Sequence, residues 1–251
     1  MTVSGSTPAS ILPLLERNAA EIRSVVAGAA RRAGRDPAGV LLLAATKTVE
    51  AAVVALLPSV GILDAGENRV QEAEPKVRAL SDLGLRWHMI GRLQTNKVRR
   101  ALDLFHRIQS VDRDSVMDAL AEEGARRGRI VDCLVQVNLS NEPTKGGYGM
   151  ADAGDALRRI RSLPSLSATG LMAIPAPSAS PEGSRAAFRA LRELRDRLRL
   201  HPGDLRDLSM GMSGDYGVAV EEGATIVRVG SALFAGLPAS AFGRSAAGGE
   251  R

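Results

Sequence analysis

The sequence predicts an α/β protein with a single domain, a (β/α)8 barrel of the TIM type that carries an extra N-terminal helix. Eight short apolar runs alternate with helix-like segments along the chain, the pattern of repeated βα units. The length, 251 residues, matches the roughly 250 residues usual for such barrels. An open doubly wound sheet ordinarily carries a Gly-rich turn after its first strand, and none follows Ala45.

Each element has its own signal. Over 8–32, Ile11, Leu14, Leu15, Ile22, Val25 and Val26 recur at helical spacing, with Ser10 available as a cap. The run 40–45, apolar throughout and preceded by Gly34-Arg35-Asp36-Pro37, reads as a strand buried on both faces. Further strands are predicted at 62–63, 87–90, 108–111, 130–137, 166–174, 205–210 and 225–229, and helices at 49–57, 69–80, 97–102, 114–127, 151–161, 185–200 and 217–222. Residues 1–7 and the Gly- and Ala-rich end 239–251 are expected to be disordered, leaving the barrel over 8–238. The Pro-, Ala- and Ser-rich stretch 175–184 reads as a mobile loop after the sixth strand.

Composition removes several classes of function. No run approaches the roughly 20 apolar residues of a membrane span, and the start lacks the layout of a signal peptide, so a cytoplasmic protein is expected. The net charge of +5 invites a nucleic-acid reading, but the arginines alternate with Glu and Asp on helices and only four Phe are present, too few for stacking platforms. Cys133, the one cysteine, sits in an apolar run and reads as a small buried hydrophobe. His88, His106 and His201 share no metal-ligand spacing.

Barrels of this kind carry their chemistry at the C-terminal ends of the strands. Lys47 follows the first apolar run, and only four lysines are present. Burial would leave its amine partly neutral and able to form an imine with an aldehyde; a structural lysine snorkelling from a strand end fits the same position. The loop 210–214 and the turn 229–231 follow the last two strands, where barrels often place a phosphate site. Ser213 and Ser231 offer hydroxyls there, and Gly214 and Gly230 admit close approach of the backbone, although ordinary turn chemistry explains either loop alone. Arg228 would reach the same face, to donate to a ring nitrogen and keep it unprotonated or to pair with Glu221.

Ala44-Ala45-Thr46-Lys47-Thr48, Gly66-Glu67-Asn68-Arg69-Val70-Gln71-Glu72 and Trp87-His88-Met89-Ile90-Gly91-Arg92-Leu93-Gln94-Thr95-Asn96-Lys97 resemble the pyridoxal phosphate homeostasis protein family. Later segments, among them Leu208-Ser209-Met210-Gly211-Met212-Ser213 and Val227-Arg228-Val229-Gly230-Ser231, continue the likeness in order over nearly the whole chain. The resemblance implies a barrel like the N-terminal domain of alanine racemase. It implies pyridoxal 5′-phosphate as cofactor, held through Lys47, with Ser213, Gly230 and Ser231 on the phosphate and Arg228 on the ring nitrogen. Asn68, His88 and Asn138 match family positions that line the mouth. Lys145 matches a second family lysine, a relay or a second cofactor site where a surface lysine in a Gly-rich loop would serve equally.

The implied role is to bind, buffer or deliver the cofactor, with apo forms of enzymes that use it as partners and a monomer or weak dimer as the expected state. A racemase or decarboxylase on the same barrel is the alternative; two-base racemisation would need a second acid or base, and the tyrosines, Tyr148 and Tyr216, sit in loop contexts. A scaffold with a vestigial pocket is a third reading.

Overall fold

The computed structural model describes residues 8–140 and 146–243. The two ends 1–7 and 244–251, and Lys145, lie outside the described residues. Helix α1 (Pro8–Arg32) comes first. Strands β1 (Leu41–Ala45), β2 (Asp64–Glu67), β3 (Arg86–Met89), β4 (Arg107–Val111) and β5 (Val131–Asn138) follow, then a two-residue strand β6 (Tyr148–Gly149), then β7 (Leu166–Met172), β8 (Asp207–Ser209) and β9 (Ile226–Val229). Helices α2 (Ala51–Val54), α3 (Val70–Ala79), α4 (Val98–Leu104), α5 (Asp114–Arg126), α6 (Ala153–Arg161), α7 (Arg185–Leu198) and α8 (Tyr216–Glu221) alternate with them.

The strands close into a ring. All pairings are parallel, β1 lies between β2 and β9, and β4 joins β5 to complete eight strands. Only β6, which was not expected, stands outside the ring, against the end of β5. The expected barrel with its additional N-terminal helix is therefore the observed one. No helix of the described residues is long and apolar enough to cross a membrane.

Two apolar layers hold the barrel. The larger lies between strands and helices, where α1 contributes Leu15, Ala19, Ile22 and Val26 at helical spacing and α7 contributes Phe188, Leu191 and Leu194. The smaller fills the barrel itself: Leu43, Ile90, Leu134, Met172 and Ile226. Ser10 lies inside the first turn of α1, not before it. Cys133 is fully buried, and burial pushes its thiol up to about 12, so it is inert.

The second strand departs most from its sequence signal. The apolar pair Ile62-Leu63 precedes it, Leu63 is exposed, and the strand is the polar Asp64–Glu67. Inside the barrel Asp64 is paired with Arg86 and His88. Gly66 leaves room for its neighbours, since a Cβ there would stand 2.5 Å from Leu43 and 2.9 Å from Ile90. The predicted 205–210 and 166–174 shorten to β8 and β7, and Leu205 bends away with φ 44°. Pro175 to Ser180 has no regular structure, and Pro181–Ser184 forms a 3-10 turn.

The C-terminal boundary also moves. Residues 239–243, predicted as tail, fold back on the barrel: Ala239–Ala241 is a 3-10 turn, Ala241 is buried, and Phe242 bridges to Val49. Glu50 N–H donates to Ala241 O and Gly243 N–H to Thr48 O. An apolar Phe242 among small residues is enough to dock a segment whose composition reads as linker.

Gly170 in β7 marks the tightest contact of the ring. A Cβ there would lie 2.0 Å from Asp207 O and 2.6 Å from its carbonyl carbon, and backbone cannot yield as a side chain can. Gly170→Ala should therefore cost about 3 kcal/mol or more, above the usual overpacking penalty. A urea titration would check this, and an unchanged midpoint would show that β7 and β8 can separate.

Candidate functional site

The end of β1 is clamped. Thr46 is buried; its N–H donates to Gly66 O at 3.0 Å and its hydroxyl to Glu67 Oε1 at 2.7 Å. Lys76, from α3, donates to Thr46 O at 2.7 Å and to Glu67 Oε1 at 2.8 Å. The chain then turns at Lys47 and Thr48. Lys47 is exposed, which corrects the expectation of a buried amine: the strand ends at Ala45, so its side chain stands at the rim of a cavity. What the fold gives it is placement on a clamped backbone.

The cavity has a volume of about 550 Å³ and is bordered by Lys47, Met212, Ser213, Arg228, Ser231 and Phe242, together with Gly230 and Phe234. The loops after β8 and β9 meet at its floor. Ser213 Oγ accepts from Gly230 N–H and from Ala232 N–H, each at 3.2 Å. Two backbone donors thus converge on the Ser213 hydroxyl oxygen and fix it beside the cavity. Gly211 permits the turn that brings Ser213 there: its φ is 91°, and a Cβ would lie 2.5 Å from Ala219 Cβ. Gly230 is 3.2 Å from Ala45 O by the same measure.

Arg228 is the electrostatic centre of the cavity. It is buried, and burial brings its guanidinium down to about 10 against a weak opposing pull from Asp215. It makes no ion pair among the described residues; Glu221, its candidate partner, is taken by Arg32 and Arg185. Its donors go to Ser209 Oγ at 2.6 Å and Ala173 O at 2.9 Å.

From Ser209 a buried chain of hydrogen bonds crosses the barrel. Ser209 Oγ donates to Gln109 Oε1 at 2.6 Å, and Gln109 Nε2 donates to His88 Nδ1 at 2.9 Å. That leaves His88 Nε2–H to donate to Asp64 Oδ1 at 2.9 Å. Burial would raise the Asp64 carboxyl, but the bonds from His88 and Arg86 outweigh it and hold the pKa below the ordinary value.

The structure brings Lys47, Ser213, Arg228, Gly230 and Ser231 together. Three other predicted residues stand elsewhere. His88 points into the barrel, two residues short of Ile90, and reaches the cavity only through Gln109 and Ser209. Asn68 borders a separate basin beside α3. Asn138 ends β5 and accepts from Ser140 N–H and Oγ at 3.2 Å. The sequence reading missed Phe234 and Phe242 on the cavity wall, and gave no role to Gln109 and Ser209 behind Arg228. Polar residues closing apolar runs were the one available signal for the latter pair.

The family described as "Alanine racemase, N-terminal domain" matches residues 15–238. A protein of Aquifex aeolicus named pyridoxal phosphate homeostasis protein is 44% identical over 82% of this chain and 91% of its own. One of the same name from Pseudomonas aeruginosa is 43% identical over 90% of this chain and 99% of its own. Among solved structures, PipY of Synechococcus elongatus, with pyridoxal phosphate bound, superposes with a TM-score of 0.76 at 34% identity, over 88% of this chain and 99% of its own.

Proposed function

Because the chain belongs to the pyridoxal phosphate homeostasis protein family, on the barrel of the alanine racemase N-terminal domain, we infer that it holds pyridoxal 5′-phosphate through an imine on Lys47. On this reading it buffers the cofactor or delivers it to apo enzymes. The supporting observation is convergence: one amine, the hydroxyls of Ser213 and Ser231, and one guanidinium without a carboxylate partner among the described residues border a single cavity.

The cofactor supplies an aldehyde for the amine, a phosphate and a ring nitrogen. Lys47 provides the nucleophile. The hydroxyls of Ser213 and Ser231 would receive the phosphate, with Ser213 Oγ fixed by the N–H groups of Gly230 and Ala232. Arg228, a donor only, would face the ring nitrogen and leave it unprotonated, weakening the ring as an electron sink.

Both tyrosines stand away from this cavity. Tyr148, in β6, donates to Asp114 Oδ1 at 2.8 Å, and burial with that carboxylate pushes its phenol up. Tyr216, at the start of α8, borders a different surface hollow. Neither is placed to act as the second base that racemisation requires.

Deuterium incorporation at the α-carbon of L-alanine and other amino acids in heavy water, with cofactor saturating, separates a carrier from an enzyme. Exchange is expected to be negligible beside a racemase control, while cofactor passes to an added apo enzyme. Exchange at the control's rate, lost in Lys47→Ala, would make this protein a racemase or related enzyme.

A further inference from the structure

We propose that the basin between the loops following β2, β3 and β4 is a second anion site, one that takes a phosphate dianion, free or as the head of a small phosphate monoester. The inference does not rest on the reading of the Lys47 cavity. The basin holds about 750 Å³, within the range of small-molecule sites, and shares no bordering residue with that cavity.

Charge is what distinguishes it. Arg69, Arg92, Lys97 and Arg113 border the basin with Glu72. One further carboxylate among the described residues, Asp112, lies beneath them with its side chain 1% exposed. It serves two guanidinium groups at once, Arg113 Nη1 at 2.6 Å and Arg92 Nε at 3.2 Å. Glu72 is engaged by Arg69 at 2.9 Å. Among the described residues, four cations against two carboxylates leave two positive charges in a concave surface, the complement of a dianion.

The donors are also arranged in advance. Arg113 is held by Asp112 and by donation to Leu93 O at 3.0 Å, so its guanidinium is fixed before any ligand arrives. The Lys97 side chain has no hydrogen bond or ion pair among the described residues. Asn68 and Gln94 add neutral amide donors at the rim. Planar guanidinium groups beside a free ammonium match phosphate oxygens, and α3 begins at the basin wall, turning its positive dipole end the same way.

Two dimensional 1H–15N NMR on the full chain would test this, with inorganic phosphate as the first ligand and glycerol 3-phosphate as the second. The Nε–H signals of Arg92 and Arg113 should shift saturably, and Lys97→Gln should weaken the affinity they report by about tenfold, the loss of one charge-assisted bond. Its side chain has no partner among the described residues, so the variant should be native. Tighter binding of glycerol 3-phosphate would identify a monoester as the ligand, and equal binding would identify free phosphate. Shifts that merely follow a sodium chloride titration, or an affinity unchanged in Lys97→Gln, would overturn the proposal. The amides of Gly230 and Ala232 report the other cavity in the same spectra, so failure of either site is seen separately.

Discussion

The Lys47→Ala protein is expected to fold normally and to lose all visible absorbance of the cofactor's imine. Lys47 is exposed and makes no bond that the barrel needs, so the substitution leaves the core intact. No other described lysine can replace it. Lys76 is committed to Glu67 and to Thr46 O, and Lys97 borders the separate basin. Borohydride reduction followed by peptide mass spectrometry should place the label on Lys47 in the unsubstituted protein and find none in the variant. A label that persists on another lysine would remove Lys47 from the centre of the site, and Lys145 would be the first peptide to inspect.

The second large effect concerns the phosphate. The Ser231 hydroxyl is exposed and makes no hydrogen bond among the described residues. A charge-assisted bond from it to phosphate would contribute about 1.5–3 kcal/mol, so Ser231→Ala should weaken pyridoxal 5′-phosphate about 10–100-fold. Unphosphorylated pyridoxal should scarcely notice. Ser213→Ala should have a smaller effect, because it removes one hydroxyl while freeing Gly230 N–H and Ala232 N–H, both now directed at Ser213 Oγ. The double variant should lose most. Paired titrations with the two ligands decide the matter: equal losses would show that these loops do not hold the phosphate.

Most of the barrel was legible in the sequence because its strands are covered on both faces, which writes them as apolar runs, and its helices bury one stripe. Strand β2 was not, since its inward residues are Asp64, occupied by an ion pair, and Gly66, excluded by Leu43 and Ile90. The cavity residues at the ends of β1, β8 and β9 could be read from their position after apolar runs. Phe242 could not, because a single aromatic in a small-residue segment carries no periodicity. Nor could the exposure of Lys47, which depends on where the chain turns after Thr46. His88 shows the limit of motif reasoning: the residue was picked out by its motif, but the strand pleat aims it at Asp64 and Gln109 instead of the mouth.

The buried chain from Arg228 to Asp64 has one direction throughout, each member donating away from the mouth. Reversing any link would set two donors or two acceptors face to face, so the serine rotor, the glutamine amide and the imidazole tautomer are locked as one unit. The carboxylate that ends the chain, Asp64, is itself paired with Arg86, and no carboxylate of the described residues pairs with Arg228. Seen from the cavity, the barrel behaves as an oriented dipole whose positive pole is unshielded. A ligand with an electron-rich ring and a negative tail would meet that field from its first approach, and the interior polarity of the protein would select its orientation.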